Sequence, residues 1–528
     1  MSAHPGPDGD DDQQQAWFDI ALVGSGLAGT YGLIRIVEGL LDSPPVAALR
    51  LVSIDREGEF HAGVPYGRRS GTNAFTITAL KSFMPLPERE RLTAWLTSNR
   101  DWMFEEFRAN GGELSSAWLD RHRGEIEAGQ WDELYLPRYL VGRYLHDRVR
   151  EVLAQAEVAG LAHHTYVSGE ATDVEVTNGG YKIHGTFGQS VLRSRKVVLA
   201  VGMPAAQRFA FDARSGDNEV CLIDDPYDPG VSMAMSRIEE CIATGQGSAD
   251  VLILGGNASA LEMIFRLRDN DRIRPRLGRI WVASPSGVLP RRLLPPDPTV
   301  AFEPTHMLGL LEADCPTARA VHDAMRDDIE EGARRGVPIA DTLAPIFGQL
   351  GAMLGRLDRG EKEAFATTWG LKLVRFQRRA GTEFSDMIES LTAQGHLRVL
   401  PMAFVAVGCR SEEGITFRYR TDDDASIREH PVKVRVIVNC TGSAALDRGG
   451  SIGLIDALAT RGLVRMNGSG RGVVVDDRLQ ANADLFVLGP LMSGNVIGNA
   501  PVWHMEDCGR IISYADLLAE SVGAVAVR

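Results

Sequence analysis

The sequence predicts an α/β fold built from two Rossmann-like dinucleotide-binding domains with a helical insertion. Three observations carry that expectation. An apolar strand runs into a glycine-rich turn and then a helix at Ile20-Ala-Leu-Val-Gly-Ser-Gly-Leu-Ala-Gly29. The same succession returns about 230 residues later at Val251-Leu-Ile-Leu-Gly-Gly-Asn-Ala-Ser-Ala260. Further apolar strands end on glycine at Gly202, Gly442 and Gly489-Pro490. One glycine turn is a weak signal, but two at this separation in 528 residues point to two dinucleotides in one protein.

The first turn has the full pattern. Gly24 permits the tight turn, Gly26 lets the backbone approach a pyrophosphate, and Gly29 lets helix and strand pack closely. Ser25, Leu27 and Ala28 lie between them and open the helix, whose N-terminus faces the anion. Leu51-Val-Ser-Ile-Asp55 then supplies an acidic strand end for ribose hydroxyls. Asp55 lies 31 residues past Gly24, beyond the usual spacing of about 20, so the helix and loop between them must be extended.

The second turn, Gly255-Gly256-Asn257-Ala258-Ser259-Ala260, has Asn where the second glycine usually sits and Ala where the third does. Its next strand, Arg279–Ser284, ends in Ser284-Pro-Ser286, with Arg291 and Arg292 beyond. No carboxylate stands there to repel a 2′-phosphate, which favours NADPH over NADH, although basic residues near a turn often simply face solvent. FAD at the first turn and NADPH at the second are the expected cofactors.

Composition fits a large soluble enzyme: 44% hydrophobic, 24% charged, with a net charge of −14 that argues against a nucleic-acid surface. No apolar run reaches membrane-spanning length, and the acidic, polar start is no signal peptide, so a cytoplasmic location is expected. The six cysteines include no C-x-x-C pair, and the twelve histidines form no ligand motif. Both metal chemistry and a redox-active disulfide are therefore disfavoured.

Along the chain we expect a disordered acidic tail over 1–16 and a first FAD-binding part over 17–215. An NADPH-binding domain over 216–445 carries the helical insertion at about 300–372, and 446–528 completes the FAD domain. Helices are expected within Arg89–Arg150, with a strongly periodic one beginning at Leu136–Leu145, and strands at Thr165–Thr172, Asp173–Phe187 and Lys196–Gly202. A last helix should start at about Val502. The insertion's apolar face, with Ile346, Leu350, Met353 and Leu354, reads as core. His163-His164 reads as a solvated pair before a strand.

Taken together, Gly24–Gly29 with Asp55, Gly63-Val-Pro-Tyr-Gly67, Tyr135–Leu145, Val201-Gly202-Met-Pro204, Asp225-Pro-Tyr227, Cys440-Thr-Gly442 and Leu488-Gly-Pro490 resemble the bacterial FAD/NAD(P)-binding proteins related to class B flavin monooxygenases and amino-acid N-hydroxylases. The resemblance covers nearly the whole chain. It is specific for fold and cofactors and only suggestive of the reaction. Thr76–Phe83 looks like the flavin-side segment of the N-hydroxylases, which implies that Lys81 contacts substrate or cofactor; an exposed helix-edge lysine explains it equally well. In Gly494–Glu506, Asn495 and Asn499 would offer neutral hydrogen bonds beside the flavin, and Trp503 and His504 would shape the pocket. Packing of the C-terminal helix is the alternative.

The chain looks closest to the branch that oxidises the amine of aspartate to nitrosuccinate. That implies a small amino-acid substrate and O2 as partners, oxygen activated as the flavin C4a-hydroperoxide, and repeated oxidation rounds. Two carboxylates would require cations, for which Lys81, Arg138, Arg291 and Arg292 are candidates. A homodimer is the assembly such enzymes suggest. Two other readings stay open: a flavin reductase, dehydrogenase or oxygenase acting on another atom, and a nucleotide-binding scaffold.

Overall fold

The computed structural model describes residues 17–526 except 189–190, 205, 208, 210–219, 245–246, 293–296, 298, 378, 422–423, 447–451 and 506. The expected tail over 1–16 and the boundary at 215/216 lie outside the described residues.

Phe18–Val23, a strand buried along most of its length, lies between Leu49–Asp55 and Val191–Leu199 and runs parallel to both. Ala162–Ser168 extends this sheet beyond Leu49–Asp55. Leu485–Val487, from the other end of the chain, joins it beside Val191–Leu199. Both ends of the sequence therefore build the first Rossmann unit. An antiparallel hairpin, Ala171–Thr177 with Gly180–Gly185, extends from Val191–Leu199.

The second sheet has five parallel strands in the order Leu397–Pro401, Leu277–Ser284, Ala249–Leu254, Val436–Asn439, Cys221–Ile223. Its strand order reverses between Ala249–Leu254 and Val436–Asn439, which is where an open α/β sheet binds ligands. Over this sheet lies an antiparallel meander, Ala403–Ser411, Gly414–Thr421 and Asp424–Val434. It contributes Ile415, Phe417 and Val434 to a core shared with Leu252, Leu254, Trp281 and Ile437. None of this meander was anticipated.

The helical insertion occupies 305–377, slightly later than the expected 300–372. Its helices are Thr305–Leu311, Ala318–Arg334, Ile339–Arg356, Arg359–Ala364 and Gly370–Gln377. They enclose a core of their own, in which Ile346, Leu350, Met353 and Leu354 are all buried as expected. Trp503 enters the same core from the C-terminal segment.

Two local expectations need correction. The final helix is Cys508–Ala526 rather than one starting at about 502. The intervening residues form a short hairpin, Asn495–Ile497 with Ala500–Val502, because Gly498 (φ +58°) turns the chain back on itself. His163-His164 lies inside the strand Ala162–Ser168 instead of before it. Only His163 is exposed; His164 Nε2 is 2.9 Å from Ser53 Oγ. Among the described residues, no helix is long and apolar enough to cross a membrane, and no cluster of His, Cys, Asp or Glu could hold a metal ion.

Candidate functional site

At the first turn, the backbone leaves no room for a side chain on Gly24 or Gly29, whereas a Cβ on Gly26 would meet only Gly63 Cα, at 3.7 Å. Gly24 has φ +100°, and a Cβ on it would lie 2.3 Å from the Ala200 carbonyl oxygen; one on Gly29 would lie 2.0 Å from that of Gly24. Gly26 opens the helix Leu27–Asp42 with no capping side chain. Leu27 and Ala28 are buried in its first turn. Gly63, at φ +61°, brings its own backbone against Gly26, and a Cβ there would sit 2.9 Å from Gly26 Cα. Gly489, at φ +97°, packs with similar closeness on Ala28, so that Gly489-Pro490 lies over the helix start. By contrast, a Cβ on Gly202 would meet nothing within 4 Å.

Asp55 ends its strand as expected, and its Oδ1 accepts the N–H groups of Glu57 and Glu59 at 3.0 and 3.2 Å. Burial pushes its carboxyl above the usual range, against the pull of those backbone donors. Behind the turn, His61 donates its N–H to the Ser25 carbonyl at 2.9 Å and lies 3.0 Å from Ser25 Oγ. Its ring sits 2.8 Å from Tyr166 Oη and 3.4 Å from Thr30 Oγ1. Burial, helped by the neighbouring His164 and His146, pushes this imidazole down to about 3, so it is neutral in ordinary conditions. Neither His61 nor Gly63 was picked out as a site residue. The glycine in His61-Ala-Gly63 was the available signal.

The second turn is built the same way with different residues. A Cβ on Gly255 (φ +96°) would lie 2.5 Å from the Cys440 carbonyl oxygen. Gly256 packs against Ser284, whose Oγ is 3.1 Å from Ser286 Oγ. Asn257 caps Ala258–Asp269 only through its backbone. Its side chain makes no capping hydrogen bond, and its buried Oδ1 has no partner among the described residues. Ala258 and Ser259 form the first turn of this helix.

Three of the four candidate substrate cations are already paired with carboxylates of the protein. Lys81, half exposed on a short helical turn, is ion-paired with Glu133. Arg138 is ion-paired with the buried Glu262, which also holds Arg266. Arg292 pairs with Asp386 and grips Glu389 through Nε and Nη2 at 3.2 and 3.0 Å. Arg291 alone of the four is exposed and without an ion pair among the described residues; its backbone pairs with Arg379.

The C-terminal candidates also have packing roles. Asn495 is buried; it donates to the carbonyls of Val473 and Met492, both at 2.8 Å, and accepts the N–H of Val475. Asn499 is exposed and accepts from Lys362 of the insertion. Trp503 stands edge-on to Phe365 at 5.3 Å, under the Arg510 guanidinium. Its Nε1 is buried without a partner among the described residues. His504, beside it, is pushed down to about 4 by burial and Arg510.

A protein of Mycobacterium tuberculosis, described only as uncharacterized, is 31% identical over 513 residues, which cover 96% of this chain and 95% of its own. The chain belongs to that protein's family. Residues 21–204 match the FAD-NAD(P)-binding family model. Two solved structures share the fold. The ornithine hydroxylase of Pseudomonas aeruginosa is 13% identical with a TM-score of 0.54, covering 97% of this chain and 100% of that one. L-lysine 6-monooxygenase of Pseudomonas syringae is 14% identical with a TM-score of 0.51 and the same coverage.

This family member therefore has FAD and NAD(P) as its cofactors, and its residues fit both. Closely packed glycines and an uncapped helix start leave room and free N–H groups for a pyrophosphate at the first turn, and Asp55 stands at the neighbouring strand end. At the second turn, the unpartnered Asn257 oxygen lies at the point where the strand order reverses. Such a buried acceptor costs stability unless something donates to it, which a ribose hydroxyl or an ordered water can do.

Proposed function

We propose that this protein is an FAD-dependent, NADPH-consuming monooxygenase that N-oxygenates the amine of a small amino acid. L-aspartate, oxidised in successive rounds to nitrosuccinate, is the first substrate to test. The observation that carries the reading is two dinucleotide crevices on one chain, with a helical insertion packed on the hairpin between the Gly489 turn and the last helix. The fold it shares with an ornithine hydroxylase and a lysine monooxygenase supports it.

When bound, FAD and NADPH would supply the chemistry the residues themselves lack, the activation of dioxygen for transfer to an amine nitrogen. The chain's own residues bind, orient and exclude water. Gly26 and the helix N–H groups receive the FAD pyrophosphate, and Asp55 receives its ribose. Arg291, with Ser284 and Ser286, receives the 2′-phosphate of NADPH. Trp503, Phe365 and the insertion keep water from the reacting centre. Dryness favours the neutral amine, the form with a lone pair to oxidise.

Lys81, Arg138 and Arg292 are each paired with a carboxylate, so recognition of a substrate carboxylate requires Lys81, the most exposed of the three, to exchange Glu133 for it. That same pairing favours a second reading, in which no acidic substrate binds and the flavin passes electrons to another acceptor. The test is to supply NADPH and isotopically heavy O2 to the FAD-loaded protein with aspartate, ornithine or lysine. Label should appear on the nitrogen of one amine, in proportion to the NADPH consumed. Peroxide alone with every amine would overturn N-oxygenation and favour the second reading.

A further inference from the structure

The helix Ala258–Asp269 starts at the second glycine turn, yet one of its faces is spent on the other half of the molecule. Glu262, Arg266 and Asp269 recur at helical spacing and are all buried. Glu262 takes Arg138, from the start of helix Arg138–Val158, and Arg266. Arg266 in turn donates to Asn73 Oδ1 and to the Ser70 carbonyl.

Asp269 does something more unusual. Helix Glu113–Arg121, in the flavin half, begins at Gly112 and has no capping side chain of its own. The Asp269 carboxylate supplies the cap from the nicotinamide half. It accepts the N–H groups of Gly112, Leu114 and Ser115 at 3.0, 2.8 and 3.1 Å, and Ser115 Oγ at 2.6 Å. Asn73 adds a fifth donor at 3.3 Å. Between these polar groups lies an aromatic core drawn from both halves. Phe265 meets Phe75 edge-on at 5.4 Å, and Phe384 lies 5.8 Å from Phe265.

Domains joined by small, polar contacts are expected to move relative to one another; an interface with an apolar centre and buried, ion-paired charges resists that. We propose that this helix face locks the nicotinamide half to the flavin half as one rigid body, with Glu262 and Asp269 as positioning residues for electron transfer between the two cofactors. The inference rests on the cofactor assignment and is independent of the substrate.

The test uses the FAD-loaded full chain. One spin label is placed on the exposed Val176 through Val176→Cys and a second on the exposed Cys409, with the other exposed cysteine removed by Cys315→Ser. The lock predicts one narrow distance distribution, unchanged by NADP+. Two populations, or a shift when NADP+ is added, would overturn it. Asp269→Asn and Glu262→Gln should broaden that distribution. They should also slow the anaerobic two-electron reduction of FAD by NADPH, a step that takes up one further proton from solvent, on the order of tenfold or more, with NADPH affinity unchanged. Should either variant fail to fold, the other and the wild-type distances still decide. Variants with unaltered distances and reduction rates would also refute the lock. A rigid wild-type protein that NADPH cannot reduce would sink the proposed function and leave the lock standing.

Discussion

At the first turn, Gly24, Gly26 and Gly29 are all glycine, and a fourth, Gly63, closes over them from the adjoining loop. At the second, Gly255 keeps the strained φ, but Asn257 and Ala260 replace the other two glycines, and Ser284 rather than a carboxylate ends the neighbouring strand. The difference separates what the fold requires from what the ligand requires. Both turns need a glycine where the chain leaves the strand with φ near +100° against a carbonyl of the next strand. What surrounds that glycine is free to vary with the dinucleotide and with how closely it must approach.

The largest expected effect breaks the turns one at a time. Gly24→Ala forces a positive φ on alanine and drives its Cβ into the Ala200 carbonyl, a cost of about 3 kcal/mol or more. The purified variant should hold little FAD. Gly255→Ala should strain its own half similarly yet keep FAD, giving a yellow protein that NADPH reduces poorly. Flavin content per chain separates the two outcomes, and equal flavin loss in both would mean that the turns are not independent.

A smaller effect sharpens the contrast in cofactor charge. Arg291→Ala should weaken NADPH binding by about tenfold, the scale of one charged hydrogen bond, and leave NADH affinity unchanged. Titration calorimetry with both nucleotides checks it; equal weakening of the two would remove Arg291 from the 2′-phosphate site.

The last effect concerns pH and the first turn. His61 is held well below its ordinary value of 6.5, down to about 3, so the fold favours its neutral form. Its contribution is complete above pH 6.5 and is lost as the pH falls from there towards 3, at up to ~1.4 kcal/mol per pH unit. Asparagine tolerates the left-handed φ of +71° at this position. In denaturant melts, His61→Asn should therefore flatten the acid limb of stability; an unaltered limb would mean that His61 is not the group responsible.

Much of the fold was legible because a strand followed by glycine and a helix has few other uses. The turns at Gly24 and Gly255, Asp55 at its strand end and the buried face at Ile346–Leu354 all lie where the pattern puts them, while the strand expected to run to Gly202 stops at Leu199. The meander over 403–434 was not legible, since its half-buried, charged strands have no clean alternation to read. Nor were the partners of the cations: Arg138 finds Glu262 and Arg292 finds Asp386 across long stretches of sequence that only the tertiary fold closes. Trp503, expected to shape the pocket, is packed inside the protein. Its ring belongs to the core of the insertion, a contact that local sequence cannot express.

The proposed function requires one chain to pass electrons from a nicotinamide at the second turn to a flavin at the first. Mixing the FAD-loaded protein with NADPH without oxygen, and following the loss of flavin absorbance, tests it most directly. Rapid bleaching with NADPH, slower with NADH and abolished in Gly255→Ala, is the predicted result. A flavin that stays oxidised with both nucleotides would contradict the account.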